Sequence, residues 1–243
     1  MGLKLAVSGK GGVGKTTIAA LVARTLAARG SRVLAIDADP VPNLGAALGL
    51  RDDEMPAPIS GMRDLIAERT GAQPGTFGSV FRMNPEVDDI PERFGADAGG
   101  VRLLVMGSVD KGGSGCVCPE SVLLKALVQH LVLRRDEVVI MDMEAGIEHL
   151  GRATARYVDL LLVVVDPGAR SHAAARMIQR LAHEIQVPRI AVVGNRVTGP
   201  EDEAEVVRAL PGMEILGFVP MDGTILAADR VGRIAYPDPG SIP

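Results

Sequence analysis

The chain has 243 residues, 47% of them hydrophobic, 23% charged and only 2% aromatic, with no Trp. That length suits one large α/β domain or two small ones, and the core has to be aliphatic. The formal net charge of −4 and the lack of a basic run leave no excess of cations to displace phosphate counterions, which argues against a nucleic-acid partner.

In chain order, Leu3–Ser8 reads as a strand that begins almost at the first residue, without a signal-peptide pattern. Ala6 stands where a myristoylation motif needs Ser or Thr. The glycine-rich stretch from Gly9 to Thr16 follows, and Thr16–Arg29 reads as a helix stopped by Gly30. Arg32–Ile36 is the next apolar run, and it delivers Asp37, Ala38, Asp39 and Pro40. Residues 51–100 are rich in Gly, Pro and acidic side chains, with one helix near Gly61–Arg69. They read as an irregular insertion within a single domain of residues 1–243. Further apolar runs are Val101–Met106, Val138–Met141, Leu160–Val165, Ile190–Val193 and Ile215–Val219. Pro119 opens a helical pattern to about Arg134, and Ser171–Glu184 carries another. Continuous apolar strands alternating with helices predict an α/β fold: a mostly parallel sheet of seven or eight strands with helices on both faces. The apolar stretch Tyr157–Val165 is too short to span a bilayer. A soluble, cytoplasmic protein without stable membrane insertion is expected.

Gly9-Lys10-Gly11-Gly12-Val13-Gly14-Lys15-Thr16 fits the phosphate-loop pattern G-x-x-x-x-G-K-[ST] between a strand and a helix. Glycines let backbone N–H groups turn inward around phosphate oxygens, and the helix N-terminus adds its dipole. Lys15 supplies charge to the β- and γ-phosphates, Thr16 offers a hydroxyl to Mg²⁺, and Thr17 is within reach of the α-phosphate. These assignments predict a P-loop NTPase that binds ATP and ADP.

Asp37 and Asp39 close a strand and face the crevice of an open α/β sheet, where a turn or helix-cap role is the alternative. The apolar strand Val138–Met141 ends in Asp142, the pattern of a carboxylate that holds Mg²⁺ through water. Thr16, Asp39 and Asp142 therefore form the expected Mg²⁺ set. Gly146 follows, where a backbone N–H can turn to the γ-phosphate as a second switch. Glu144, Glu148 and His149 are either functional polar groups or a solvated loop face. After Ile190–Gly194 come Asn195, Arg196 and Thr198; a guanine-reading N-K-x-D is absent, which favours adenine.

Cys116 and Cys118 lie on a glycine-rich loop just before Pro119. Two thiols at C-x-C spacing can face one metal, and the helix start favours thiolate. Two thiolates alone make a poor site. A dimer brings four, a set suited to Zn²⁺ or Ni²⁺. An inert pair or a redox pair are the other readings.

The second lysine, Lys10, directly after the first glycine, carries a resemblance. The loop resembles the deviant Walker A ATPases, which include the nitrogenase iron protein, MinD, ParA and the arsenite-pump and metal-insertion ATPases. The resemblance implies that Lys10 reaches the phosphates of a partner subunit in an ATP-bound homodimer. It implies that Asp39 positions the attacking water, that Asn195 pairs with adenine, and that Arg196 and the loop from Pro220 to Asp222 line the base pocket. Gly115-Cys116-Val117-Cys118-Pro119-Glu120, with Asp142-Met143-Glu144-Ala145-Gly146-Ile147-Glu148-His149, is similar to the carbon monoxide dehydrogenase maturation ATPases of the CooC type. That similarity implies an ATP-driven dimer that binds nickel, or zinc in its place, and serves a client metalloenzyme, carbon monoxide dehydrogenase or the related acetyl-CoA synthase. Val41-Pro42-Asn43 departs from the family pattern, its extra proline restraining the first switch. A MinD-type or ParA-type positioning ATPase is the main alternative; the proline-rich ending Arg233–Pro243 cannot form a MinD-type membrane helix. An electron-transfer iron protein and a non-hydrolysing metal chaperone are further readings.

Overall fold

The computed structural model describes residues 2–72, 82–107, 119–134, 137–143 and 158–229. The strands are β1 (Lys4–Gly9), β2 (Val33–Ala38), β3 (Ala96–Asp97), β4 (Val101–Val105), β5 (Val138–Met143), β6 (Leu160–Val165), β7 (Ile190–Val197) and β8 (Glu214–Pro220). They form one eight-stranded sheet in the order β3-β4-β2-β5-β1-β6-β7-β8. Every pairing is parallel except the short antiparallel contact of β3 with β4.

Helices cover both faces of this sheet, which is why its central strands read as continuous apolar runs. On one face, α1 (Lys15–Ala28) and α2 (Leu44–Leu48) lie over Leu5, Val7, Val33, Ala35 and Leu103. Buried Ala19, Ala20 and Ala23 line the inner side of α1, and such small side chains let a helix sit close on a sheet. The helix ends in a Schellman turn. Gly30, at φ +85, donates its N–H to the Ala27 carbonyl, and Ser31 donates to the Leu26 carbonyl.

On the other face lie α3 (Arg63–Thr70), α5 (Pro119–Arg134), α6 (Ala169–Glu184) and α7 (Pro200–Ala209), above Ala6, Leu34, Ile36, Leu104 and Val139. Helix α5 buries Leu123, Leu127 and Leu131, spaced four apart on one stripe. The segment 51–100 packs into this same core through Ile59, Leu65, Ile66, Val87 and Ile90, the last of these opening the short helix α4 (Ile90–Phe94). The final described element is α8 (Gly223–Asp229). Among the described residues no helix is long and apolar enough to cross a membrane.

The connectivity locates the site. β1 sits between β5 and β6. The chain builds outward through β2, β4 and β3 on one side and through β6, β7 and β8 on the other. The strand order thus reverses at β1, and the crevice of such a sheet opens at the carboxyl ends of the strands there.

Candidate nucleotide site

The loop from Gly9 to Lys15 leaves β1 at that crevice and runs directly into α1. Gly9, Gly12 and Gly14 all hold positive φ, at +149, +84 and +92. A side chain at Gly9 would also run into the Val164 carbonyl of β6, and one at Gly14 into the Asn195 amide. Gly11, Gly12 and Pro40 are exposed, Lys10, Gly14, Thr16 and Thr17 are half-buried, and Val13 and Lys15 are buried.

Lys15 is the first residue of α1 and Gly14 its N-cap, with no side chain capping the turn. The first-turn N–H groups of the helix therefore face the loop without a side-chain acceptor. This is the local geometry that receives an anion.

The carboxylates come from two adjacent strands. Asp37 of β2 and Asp142 of β5 are register partners, and Asp142 is in turn paired with Val7 of β1. Asp37 is completely buried. One of its oxygens accepts the N–H of Asp39 at 3.1 Å; the other accepts those of Asn43 at 2.9 Å and Leu44 at 2.8 Å. It therefore caps α2 from six and seven residues away. Burial pushes its carboxyl above the usual range, against the pull of those N–H groups.

Asp142 is 2% exposed. Burial lifts its carboxyl to about 7, opposed by a hydrogen bond with the Thr16 hydroxyl and by the charge of Lys15, and reinforced by Asp37 and Asp39. Its Oδ1 is buried with no hydrogen-bond partner. A buried carboxylate oxygen left over, beside a threonine hydroxyl, fits a hydrated Mg²⁺, which keeps several waters and takes few protein oxygens. Among the described residues no group of three or more His, Cys, Asp or Glu side chains is arranged to hold a metal ion by itself. Asp39 is half-buried, and its Oδ1 accepts the Val41 N–H at 2.9 Å.

The end of β7 closes the site from the other side. Asn195, 6% exposed, donates its side-chain amide to the Val13 carbonyl at 2.7 Å. Arg196 donates Nη1 to the Gly12 carbonyl at 2.8 Å. Both thus grip the phosphate loop, a contact across more than 180 residues that sequence reasoning did not anticipate. The sequence signal was only the pair Asn-Arg after an apolar strand. Pro220 lies beside Val197 in the β7–β8 register, and the Met221 N–H donates to the Val197 carbonyl at 2.9 Å. Asp222 is exposed and accepts the Thr224 N–H and hydroxyl, at 2.7 and 2.6 Å, as a cap on α8. Gly146, Glu144, Glu148, His149, Cys116 and Cys118 lie outside the described residues.

Residues 4–233 match the model of the CobQ/CobB/MinD/ParA nucleotide binding domain. The chain belongs to this family. The fold agrees with solved members. A ParA family ATPase from Chlorobium tepidum superimposes with a TM-score of 0.70 at 18% identity, covering 95% of this chain and 89% of that one. MinD in the MinC:MinD cell division complex of Aquifex aeolicus gives 0.67 at 22% identity, covering 95% and 86%. In sequence, the carbon monoxide dehydrogenase accessory protein CooC of Rhodospirillum rubrum is 47% identical over 96% of this chain and 89% of its own. An uncharacterised ATP-binding protein of Methanocaldococcus jannaschii is 44% identical over 95% and 90%. The chain shares with them the MinD/ParA P-loop NTPase fold, an eight-stranded, mostly parallel sheet with helices on both faces.

Proposed function

We propose that this chain is an ATP-hydrolysing metallochaperone that closes as a homodimer on nucleotide and metal and assists nickel insertion into carbon monoxide dehydrogenase. The observation that carries the reading is the 47% identity to CooC over nearly the whole of both chains. Acetyl-CoA synthase is the alternative client.

The site's own residues support a mechanism. Loop N–H groups and Lys15 hold the β- and γ-phosphates of ATP. Thr16 and Asp142, with Asp39 beside them, would hold Mg²⁺, which neutralises phosphate charge as the γ-phosphoryl leaves. The Asp39 oxygen not engaged by Val41 orients a water in line with the γ-phosphorus. Water oxygen bonds to phosphorus as the bond to the bridging oxygen breaks, ADP departs with that electron pair, and the water's proton passes to the oxygens of the phosphate released. Lys10 of the opposite subunit stabilises the charge, as an arginine finger does. Asn195 gives one amide N–H to Val13; its carbonyl end accepts from the adenine amine, with Pro220 and Asp222 around the base and Arg196 beside it on the loop. The Gly146 N–H senses the γ-phosphate.

Cys116 and Cys118 from each subunit form a four-thiolate site for the cargo ion, Ni²⁺ or Zn²⁺. A nucleotide-closed dimer is what brings the two pairs together. The chain is read as one domain throughout, with 51–100 inserted in it, and as cytoplasmic.

The test is sizing of the protein with and without ATP and Ni²⁺, with metal analysis of each peak. A dimer carrying about one Ni²⁺, lost in Cys116→Ser, is expected. A nucleotide-dependent dimer that carries no metal in the wild type would point to a positioning ATPase of MinD or ParA type instead.

A further inference from the structure

A phosphate loop works only if its peptide planes are turned the right way. In a trans peptide the carbonyl and the next residue's N–H point in opposite directions. Holding the Gly12 carbonyl therefore sets the direction of the Val13 N–H, and holding the Val13 carbonyl sets that of Gly14. Glycine-rich backbone has no stiffness of its own to fix these planes. In this chain both carbonyls are held from behind, by consecutive residues at the end of β7: Arg196 on Gly12 at 2.8 Å and Asn195 on Val13 at 2.7 Å.

Two further observations bear on Arg196. Its backbone is left-handed, φ +58, one of two non-glycine residues in that region among those described. That conformation costs an L-residue about 1 kcal/mol or more, so glycine would suit the position better unless the side chain is needed. The peptide it holds also closes a turn: the Val13 N–H reaches the Lys10 carbonyl at 3.4 Å. The guanidinium thus braces the back of the turn that carries Lys10.

We propose that Arg196 is a positioning residue for the phosphate loop, acting on the nucleotide through the Gly12 carbonyl and not by reading the base. The inference rests on the nucleotide-binding reading of this same loop. It assigns the two members of the Asn-Arg pair different tasks, Asn195 shared between loop and base and Arg196 given to the loop. A base-free polyphosphate should then depend on Arg196 as much as a nucleotide does.

The experiment is equilibrium binding of ADP and of tripolyphosphate, each with Mg²⁺, to wild type, Arg196→Gly and Arg196→Lys, with unfolding midpoints of the nucleotide-free proteins. Arg196→Gly should weaken both ligands by about tenfold, the worth of a charge-assisted hydrogen bond. Its midpoint should hold or rise, because glycine accepts the left-handed backbone. Arg196→Lys, which can still reach one carbonyl, should recover binding to within about threefold of wild type. Tripolyphosphate binding that is unchanged in Arg196→Gly would overturn the proposal, whether or not ADP binding falls. Equal losses in the Gly and Lys variants would also overturn it, by removing the role of the donated hydrogen bond. Failure of the wild type to bind ADP at all would instead remove the nucleotide reading on which the proposal stands.

Discussion

Asp37 and Asp142 stand opposite one another on neighbouring parallel strands, both buried and both with carboxyls raised by that burial. Two carboxylates so placed disfavour ionising together. One is satisfied by three backbone N–H groups; the other keeps an oxygen without a partner.

The stability of the nucleotide-free protein should therefore fall as pH rises. The unfolded chain releases the Asp142 proton near 3.8, while the folded protein keeps it until about 7. Between those values the folded state binds more protons, so its stability is complete below the lower value and declines until the upper one is passed. The limiting effect is about 4 kcal/mol. Asp142→Asn should flatten the slope of urea midpoint against pH between 5 and 8, measured without Mg²⁺. A slope equal to that of wild type would show that Asp142 does not carry it.

Asp37→Ala should leave the Asp39, Asn43 and Leu44 N–H groups without their acceptor. A loss of roughly 2–4 kcal/mol in unfolding free energy is expected, since unpaired buried donors cost about 1–3 kcal/mol each and some will find water. Asp37→Asn keeps one acceptor oxygen and should fall between the two. Urea titration at constant pH measures all three proteins.

Gly14→Ala meets two obstacles at once: φ +92 and the Asn195 amide in the path of its methyl group. Nucleotide affinity should drop by more than about tenfold, because the loop must shift or the Asn195–Val13 bond must break. Calorimetric titration with ADP checks this. Gly11→Ala, where an added methyl meets nothing and φ is not left-handed, should bind ADP as the wild type does.

Lys10→Ala should lower steady-state ATP turnover by about a hundredfold, the scale of removing one charge-stabilising donor. ADP affinity of the monomer should stay within about twofold, since the proposed role of Lys10 is toward the other subunit. Normal turnover would remove the trans role.

Much of the architecture was legible because buried parallel strands are continuous aliphatic runs, and each run read from the sequence is a strand of the sheet. The loop from Gly9 to Thr16 was legible because its motif is local, flanked by strand and helix. What escaped depends on distance or brevity. Helix α2 has five residues and owes its start to Asp37, seven residues from Leu44, so no local cap announces it. Helix α6 ends on Gln186 at φ +63, whose N–H and that of Val187 close a Schellman turn that normally calls for glycine. Strand β3 is two residues long. The cap that Asp222 places on α8 joins a carboxylate to a helix only seven residues long, so the sequence does not announce it. The grip of Asn195 and Arg196 on the loop joins the two ends of the fold, where no spacing rule reaches. Cys116 and Cys118 rest on their sequence context alone.

The bond from Asn195 to Val13 bears on any attempt to retune this protein to another nucleotide. On the proposed pairing of Asn195 with adenine, base preference and loop geometry share one side chain, so a change to one changes the other. Replacing Asn195 with Asp would set a carboxylate against a carbonyl oxygen; a larger residue would press on Gly14. An orthogonal-nucleotide variant, useful for tracking this protein, would be sought by changing the other wall of the proposed base pocket, around Pro220, while Asn195 and Arg196 stay as they are.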